Sequence, residues 1–242
     1  MSFATRARCP ICTVTRTFAA RDDFWSCRDE LSSDSCELGG CNTRERAMAQ
    51  VLFSLFDRNA VRSLSIHEAG PVPRGLSAWL DANARRYTKS GYFPAVALGA
   101  FVGGIRNEDL ARQTFADGEF DVVIHLDVME HLYEPFRALN EICRTLKPGG
   151  YCLFTAPTEK SRFHSEQVAF IEDDGIRIVG EAEYHGNPQR PEEGSLVTWR
   201  YGYDLPLLIQ RNTAFDVEVR RFQARSTAVM GYMNEVYVLK RP

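Results

Sequence analysis

Phe120 to Pro157 reads FDVVIHLDVMEHLYEPFRALNEICRTLKPGGYCLFTAP, and the pattern of this stretch decides the fold. Phe120–Leu126 is a short apolar run with β-branched Val122, Val123 and Ile124, long enough for a buried strand and too short for a helix. Pro135 opens a helix at a position where its missing N–H costs little. Phe136, Leu139, Cys143 and Leu146 recur at helical spacing and predict one apolar face. Lys147-Pro148-Gly149-Gly150 ends the helix with a cation, a breaker and a glycine pair. Tyr151–Thr155 reads as a second buried strand. Strand, helix, strand with no polar strand face is a βαβ unit of a parallel sheet. Ligands of such sheets bind beyond the carboxyl ends of the strands, which directs attention to His125-Leu126-Asp127-Val128-Met129-Glu130-His131.

Working outward, 242 residues suffice for one α/β domain with a small appendage, and 44% hydrophobic with 25% charged residues is a globular composition. A net charge of -3 gives no reason to expect nucleic acid or an anionic membrane as partner. No apolar run reaches the roughly 20 residues of a membrane-spanning helix, and the N-terminus lacks the apolar core of a secretory signal. A cytoplasmic protein is expected.

Five of the seven cysteines (Cys9, Cys12, Cys27, Cys36 and Cys41) crowd the N-terminal segment. Without an export signal, metal binding or free thiols are expected rather than disulfides. Cys9-Pro10-Ile11-Cys12 is the tight half of a zinc knuckle, and Cys36 and Cys41 supply a wider second half. The expectation is a structural zinc on these four, with Cys27 the poorer ligand; the alternative is a set of buried or free thiols. Residues 1–58 are read as a cysteine-rich lobe with a linking helix from Asn42 or Thr43 to about Asp57, and 59–242 as the main domain.

In that domain Val61–Glu68 predicts a strand. It enters Ala69-Gly70-Pro71-Val72-Pro73-Arg74-Gly75 and a helix over Leu76–Arg85. Strand, glycine turn and helix cradle nucleotides or nucleosides. Here two prolines remove N–H donors that a phosphate needs, which argues against NAD or ATP. A second strand over Arg86–Ser90 ends without the acid that grips a ribose. A third, near Ile105, leads to Glu108-Asp109-Leu110, where a carboxylate can accept from an exocyclic amine. Beyond Pro157 the sequence predicts a hairpin around Asp173-Asp174-Gly175, then the turn Glu183-Tyr184-His185-Gly186-Asn187-Pro188. A helix over Gly202–Arg211 and two closing strands, Phe215–Phe222 and Tyr232–Leu239, follow.

Four blocks in this order, Glu108-Asp109-Leu110, Phe115–Asp121, Asp127-Val128-Met129-Glu130-His131 and Leu146–Gly150, resemble a class I S-adenosylmethionine-dependent methyltransferase. The chain is also similar to a subgroup with a cysteine-rich N-terminal lobe, a degenerate glycine loop and a Tyr-His-Gly-Asn-Pro turn. The resemblance implies a doubly wound, mostly parallel, seven-stranded Rossmann-like sheet whose last strand is antiparallel. It implies methyl transfer from S-adenosylmethionine to a small-molecule or saccharide acceptor at oxygen or nitrogen. Glu68, Ala69 and Gly70 would meet the methionine part of the cofactor, with Ser90 at the ribose position. Glu108, Asp109 and the Leu110 backbone would meet the adenine, and His125, Leu126 and Asp127 would line the methionine side. Two departures stand out: Glu68-Ala69-Gly70-Pro71-Val72-Pro73 replaces the usual glycine run, and the ribose acid is missing.

Because the sulfonium methyl is already activated, the protein has to align the reacting atoms and receive a proton. His185 is the first candidate base and His131 the second; the alternative for each is a ring hydrogen-bonded within its own loop. Tyr184 and Asn187 are expected at the substrate. Asp127 and Glu130 can hold a histidine, bind acceptor hydroxyls or cap the next helix. A non-catalytic binding domain of the same fold and a zinc-lobed RNA or protein methyltransferase are the competing readings.

Overall fold

Residue alternation along the central strands sorts their side chains onto two faces, and each face is covered by helices. The computed structural model describes residues 3–20, 31–33, 36–187 and 192–242. Cys27 and Pro188 lie outside these residues.

In the lobe, β1 (Phe3–Arg8) pairs antiparallel with β2 (Thr15–Ala20) across the Cys9–Cys12 turn. The linking helix α1 (Thr43–Leu55) starts where expected because Asn42 and Glu45 cap it reciprocally. The predicted strand from Val61 begins later. Asp57 Oδ1 accepts from the N–H groups of Asn59 at 2.7 Å and Ala60 at 2.9 Å, which holds α2 (Arg58–Val61) helical. Then come β3 (Ser65–Ala69), α3 (Gly75–Asn83), β4 (Arg86–Gly91), β5 (Phe101–Val102), β6 (Ile105–Asn107) and β7 (Phe120–Leu126). A single 3₁₀ turn at Met129–His131 separates β7 from α4 (Pro135–Thr145), and β8 (Leu146–Thr155) completes the βαβ unit. The remainder holds β9 (Glu166–Gln167), β10 (Ala169–Glu172), β11 (Gly175–Ile178), β12 (Tyr184–His185), β13 (Ser195–Leu196), β14 (Trp199–Arg200), α5 (Leu205–Asn212), β15 (Asp216–Arg220) and β16 (Val236–Lys240).

The main sheet runs β15-β16-β8-β7-β3-β4-β6-β5. From β8 to β6 every pairing is parallel, and β16 is antiparallel to both neighbours. This is the expected Rossmann-like sheet, with two-residue β5 added antiparallel at one edge as an eighth strand. Ile66, Val122, Ile124, Leu153 and Val238 pack one face against α1, α3 and the lobe. Phe120, Val123, Cys152, Phe154 and Leu239 pack the other against α4 and α5. On α4 the buried stripe is Ala138, Leu139 and Ile142; Phe136 and Cys143, expected on it, are half-buried at its rim. Between Leu146 and Tyr151 the register shifts by a bulge. A Cβ on Gly150 would sit 2.9 Å from the Lys147 carbonyl oxygen and 3.0 Å from that of Asp121, so the bulge requires glycine.

The lobe is continuous with the sheet's core: Ile11, Phe18 and Leu31 join Met48 and Leu52 of α1 in one apolar cluster with Ile66 and Leu153. Buried Arg46 fastens it by donating to the carbonyls of Leu31 at 2.6 Å, Ala228 at 2.7 Å and Cys41 at 2.9 Å. Among the described residues no helix is long and apolar enough to cross a membrane.

Candidate active site

Strand order reverses at β3, whose neighbours β4 and β7 are reached by connections running in opposite directions. The crevice at such a point, beyond the carboxyl ends, is where open α/β sheets bind ligands. A cavity of about 1040 Å³ opens there. That is the upper end of ligand-site sizes and holds two small molecules side by side.

One half of the cavity is floored by β3, β4, β6 and β7. Glu68, Ala69, Gly70, Ser90, Glu108, Asp109, Leu110, Leu126 and Asp127 all line it. Several of these are already hydrogen-bonded inward. Glu68 is buried and accepts from Ser77 Oγ at 2.6 Å and from the Tyr87 hydroxyl. Burial pushes its carboxyl up to about 7, against those two hydrogen bonds. Ser90 Oγ pairs with His67 Nε2 at 2.7 Å. Glu108 accepts from Arg106 Nε at 2.7 Å and from the Thr114 N–H at 2.8 Å. Asp109 differs: its Oδ1 takes the Ala111 N–H at 2.9 Å, and Oδ2 makes no hydrogen bond within the described residues. Gly70 opens the turn with φ +70°, and Gly75 closes it with φ +54°. A Cβ on Gly70 would press on Val128 Cγ2 at 3.3 Å.

The expectation for His125 needs correcting. Alternation along β7 turns its ring away from the cavity, fully buried and stacked on Phe154 at 4.9 Å. Asp127, two residues on, takes a left-handed φ of +53°. Thr155 Oγ bonds it at 2.7 Å, and Arg44 from the first turn of α1 forms an ion pair with it. Arg44 and Glu45 thus bring the linking helix to the cavity wall. Nothing in their spacing announces this, since it depends on how α1 docks.

The other half is built by the Met129–His131 turn and the β12–β13 hairpin. Thr198 N–H and Oγ donate to the Glu130 carbonyl at 2.7 and 3.0 Å, and the Tyr201 hydroxyl donates to the Met129 carbonyl at 2.9 Å. The turn is therefore fixed from outside. His131 Nδ1 lies 2.9 Å from the Leu196 carbonyl oxygen, so that nitrogen carries the proton. His131 and His185 meet edge to face at 5.2 Å. Glu130 is buried, and neither carboxylate oxygen has a hydrogen-bond partner. Glu130, then Glu183, hold the His185 imidazolium above the ordinary histidine range despite partial burial. Asn187 lines the cavity. Tyr184 does not, because alternation in the two-residue strand that turns His185 inward leaves Tyr184 exposed. Glu130 and His131 come just after a buried strand and His185 lies in a polar turn, the two sequence signals for this cluster; Thr198 and Leu196 gave none.

The four cysteines gather in two pairs, Cys9 with Cys41 and Cys12 with Cys36. Cys9 and Cys41 Sγ are 3.8 Å apart, the edge expected of a tetrahedral zinc site, while Cys12 Sγ accepts from Arg16 Nε at 3.4 Å. Among the described residues no three cysteine sulfurs come within 4.8 Å of one another. The hydrogen bond from Cys9, with Arg46 beside it, pulls the Cys41 thiol down despite burial.

Comparison with known proteins agrees with this fold. Residues 79–154 match a family model described as a methyltransferase domain; the match begins beyond the Glu68–Gly75 turn. A protein of Mycolicibacterium smegmatis described as a probable S-adenosylmethionine-dependent methyltransferase is 38% identical over 53 residues, 22% of this chain and 21% of that protein. The aligned part is thus about a fifth of that relative. Among solved structures, an S-adenosylmethionine-dependent methyltransferase from Mesorhizobium loti superposes with TM-score 0.50 at 16% identity, covering 81% of this chain and 98% of its own. An amino pentose methyltransferase from Micromonospora echinaspora superposes with TM-score 0.52 at 11% identity, covering 83% and 92%. At these identities the structural likeness is one of fold.

Proposed function

We propose that this S-adenosylmethionine-dependent methyltransferase domain methylates oxygen or nitrogen of a small-molecule or saccharide acceptor. One observation carries the reading. A single cavity holds Asp109 and Leu110, inside the matched region, together with the Glu130–His131–His185 cluster. The residues present fit the cofactor. Asp109 Oδ2 is available to an adenine amine, the Leu110 backbone stands beside it, and Gly70 lets the chain pass close by. Ala69 and Asp127 would flank the methionine part, whereas Glu68, Ser90 and Glu108 shape the pocket from within.

The bound cofactor supplies a methyl group activated on a sulfonium. The chain's share is alignment and a place for the proton. His185, whose Nε2 is held by Glu183 at 3.2 Å, would take the proton of the acceptor's O–H or N–H as the methyl passes to it and the carbon–sulfur bond breaks. His131, pinned by Leu196, shapes the far side of the acceptor's path. A zinc in the lobe is a separate proposal resting on the pairing of Cys9 with Cys41 and of Cys12 with Cys36; metal analysis giving well below one zinc per chain removes it.

Calorimetry with S-adenosylmethionine and S-adenosylhomocysteine tests the reading. Binding of both is expected. No detectable binding at millimolar cofactor would overturn it and favour a non-catalytic domain of this fold. A labelled-cofactor screen of saccharides and small polar metabolites then identifies the acceptor.

A further inference from the structure

We propose that Glu130, His131 and His185 form a binding site for one divalent transition-metal ion at the acceptor end of the cavity. A ligand atom from each residue lies within 4.8 Å of the other two. Glu130 Oε1 is 3.8 Å from His131 Nε2 and 3.7 Å from His185 Nδ1. These separations are too long for hydrogen bonds. They suit donors that share an ion, since atoms about 2.0–2.2 Å from one metal lie roughly 3–4 Å apart.

The outer nitrogens strengthen the case. His131 Nδ1 donates to the Leu196 carbonyl at 2.9 Å, and His185 Nε2 faces Glu183 Oε1 at 3.2 Å. In the neutral rings the inner nitrogens therefore carry lone pairs, and both point toward a carboxylate. With both rings neutral, three acceptors converge with no donor among them. A carboxylate this deeply buried without a hydrogen bond is costly unless something positive meets it. A backbone carbonyl behind one ring and a carboxylate behind the other are the usual outer partners of metal-ligating histidines. The ties from Thr198 and Tyr201 fix the Met129–His131 turn before any ion arrives. Two imidazoles and a carboxylate suit zinc, cobalt, nickel, iron or manganese.

Three protein ligands leave coordination positions open to the cavity. The inference rests on the methyl-transfer reading for what the ion does, though not for where it sits. A hydroxyl bound to the ion is acidified. Its proton leaves to solvent, the oxygen attacks the methyl carbon, and the carbon–sulfur bond breaks. His185 Nδ1 is then a ligand, and the ion takes over its part as proton acceptor. This narrows the acceptor to an oxygen nucleophile, best a saccharide whose neighbouring hydroxyl completes a chelate.

Cobalt(II) titration of the chelator-treated full chain, followed by visible spectroscopy, tests the site. The expected result is one ion per chain with nitrogen- and oxygen-type d–d bands. Affinity should fall about tenfold or more in Glu130→Gln and in His185→Ala, the second lying on the hairpin so that folding is unaffected. Failure to take up cobalt overturns the proposal, as does uptake showing only a thiolate charge-transfer band, which places the ion in the lobe. Equal affinity in the variants does the same. Calorimetry with S-adenosylmethionine on the same samples separates the two readings. Cofactor binding without cobalt sinks the ion site alone, and cobalt binding without cofactor sinks methyl transfer alone.

Discussion

The two halves of the cavity treat their buried polar groups in opposite ways. On the strand-end side, Glu68, Ser90 and Glu108 spend their hydrogen-bonding capacity on Ser77, Tyr87, His67, Arg106 and Thr114. On the hairpin side, Glu130 is as deeply buried and its carboxylate has no hydrogen bond. A satisfied buried group defines shape and rigidity. An unsatisfied one costs stability, and such a cost persists where a ligand or a reaction uses the group. On the proposed reading the cofactor half is thus mainly a mould with Asp109 as its contact, and the acceptor half is where reactivity is concentrated.

The largest effect should follow from breaking the reactive half. His185→Ala is expected to lower turnover on the true acceptor by about 10²–10⁴-fold while cofactor affinity is kept. Steady-state kinetics beside calorimetry would show this, and full activity would refute the role. Next comes acid, acting beneath the mould. Burial lowers His67 and His125 to about 3, so both rings are neutral in the fold. An unfolded histidine titrates near 6.5. Their contribution is whole above that pH and is lost as pH falls toward 3, by roughly 2 kcal/mol for each ring at pH 5. Thermal melts from pH 7 to 5 should show the loss, and His125→Phe should lessen its slope; a parallel profile in the variant would contradict the assignment. The smallest effect belongs to Asp109→Ala, with cofactor affinity down about tenfold for one charge-assisted contact and little change in Tm. Unchanged affinity would move the adenine elsewhere.

Much of this was legible because it follows from short-range rules. The strand of Phe120–Leu126 and the Pro135 helix start each rest on a local preference, and the structure keeps both; the expected stop at Lys147–Gly150 moves, because the helix ends at Thr145 and these residues begin β8. Alternation along β7 already contained the burial of His125, since Val123 and His125 must share a face. The late start of β3 was equally local, set by the Asp57 cap. The site was less legible. Asp109 and His131 stood out because they fall in recognisable blocks. Arg44 reaches the cavity only through the docking of α1, and the partners of Glu130 come from a hairpin 55 to 68 residues further along.

By itself, then, the sequence determined the βαβ unit at Phe120–Pro157 and the end of the sheet at which the cavity opens. Periodicity, caps and breakers act within a few residues, and handed crossovers leave little freedom in joining them. Only the tertiary structure decided which polar groups at that end are spent on one another and which are left facing the cavity. Hydrogen-bond satisfaction depends on partners distant in the chain, and Leu196, Thr198 and Tyr201 meet the Met129–His131 turn only once the sheet has closed around it.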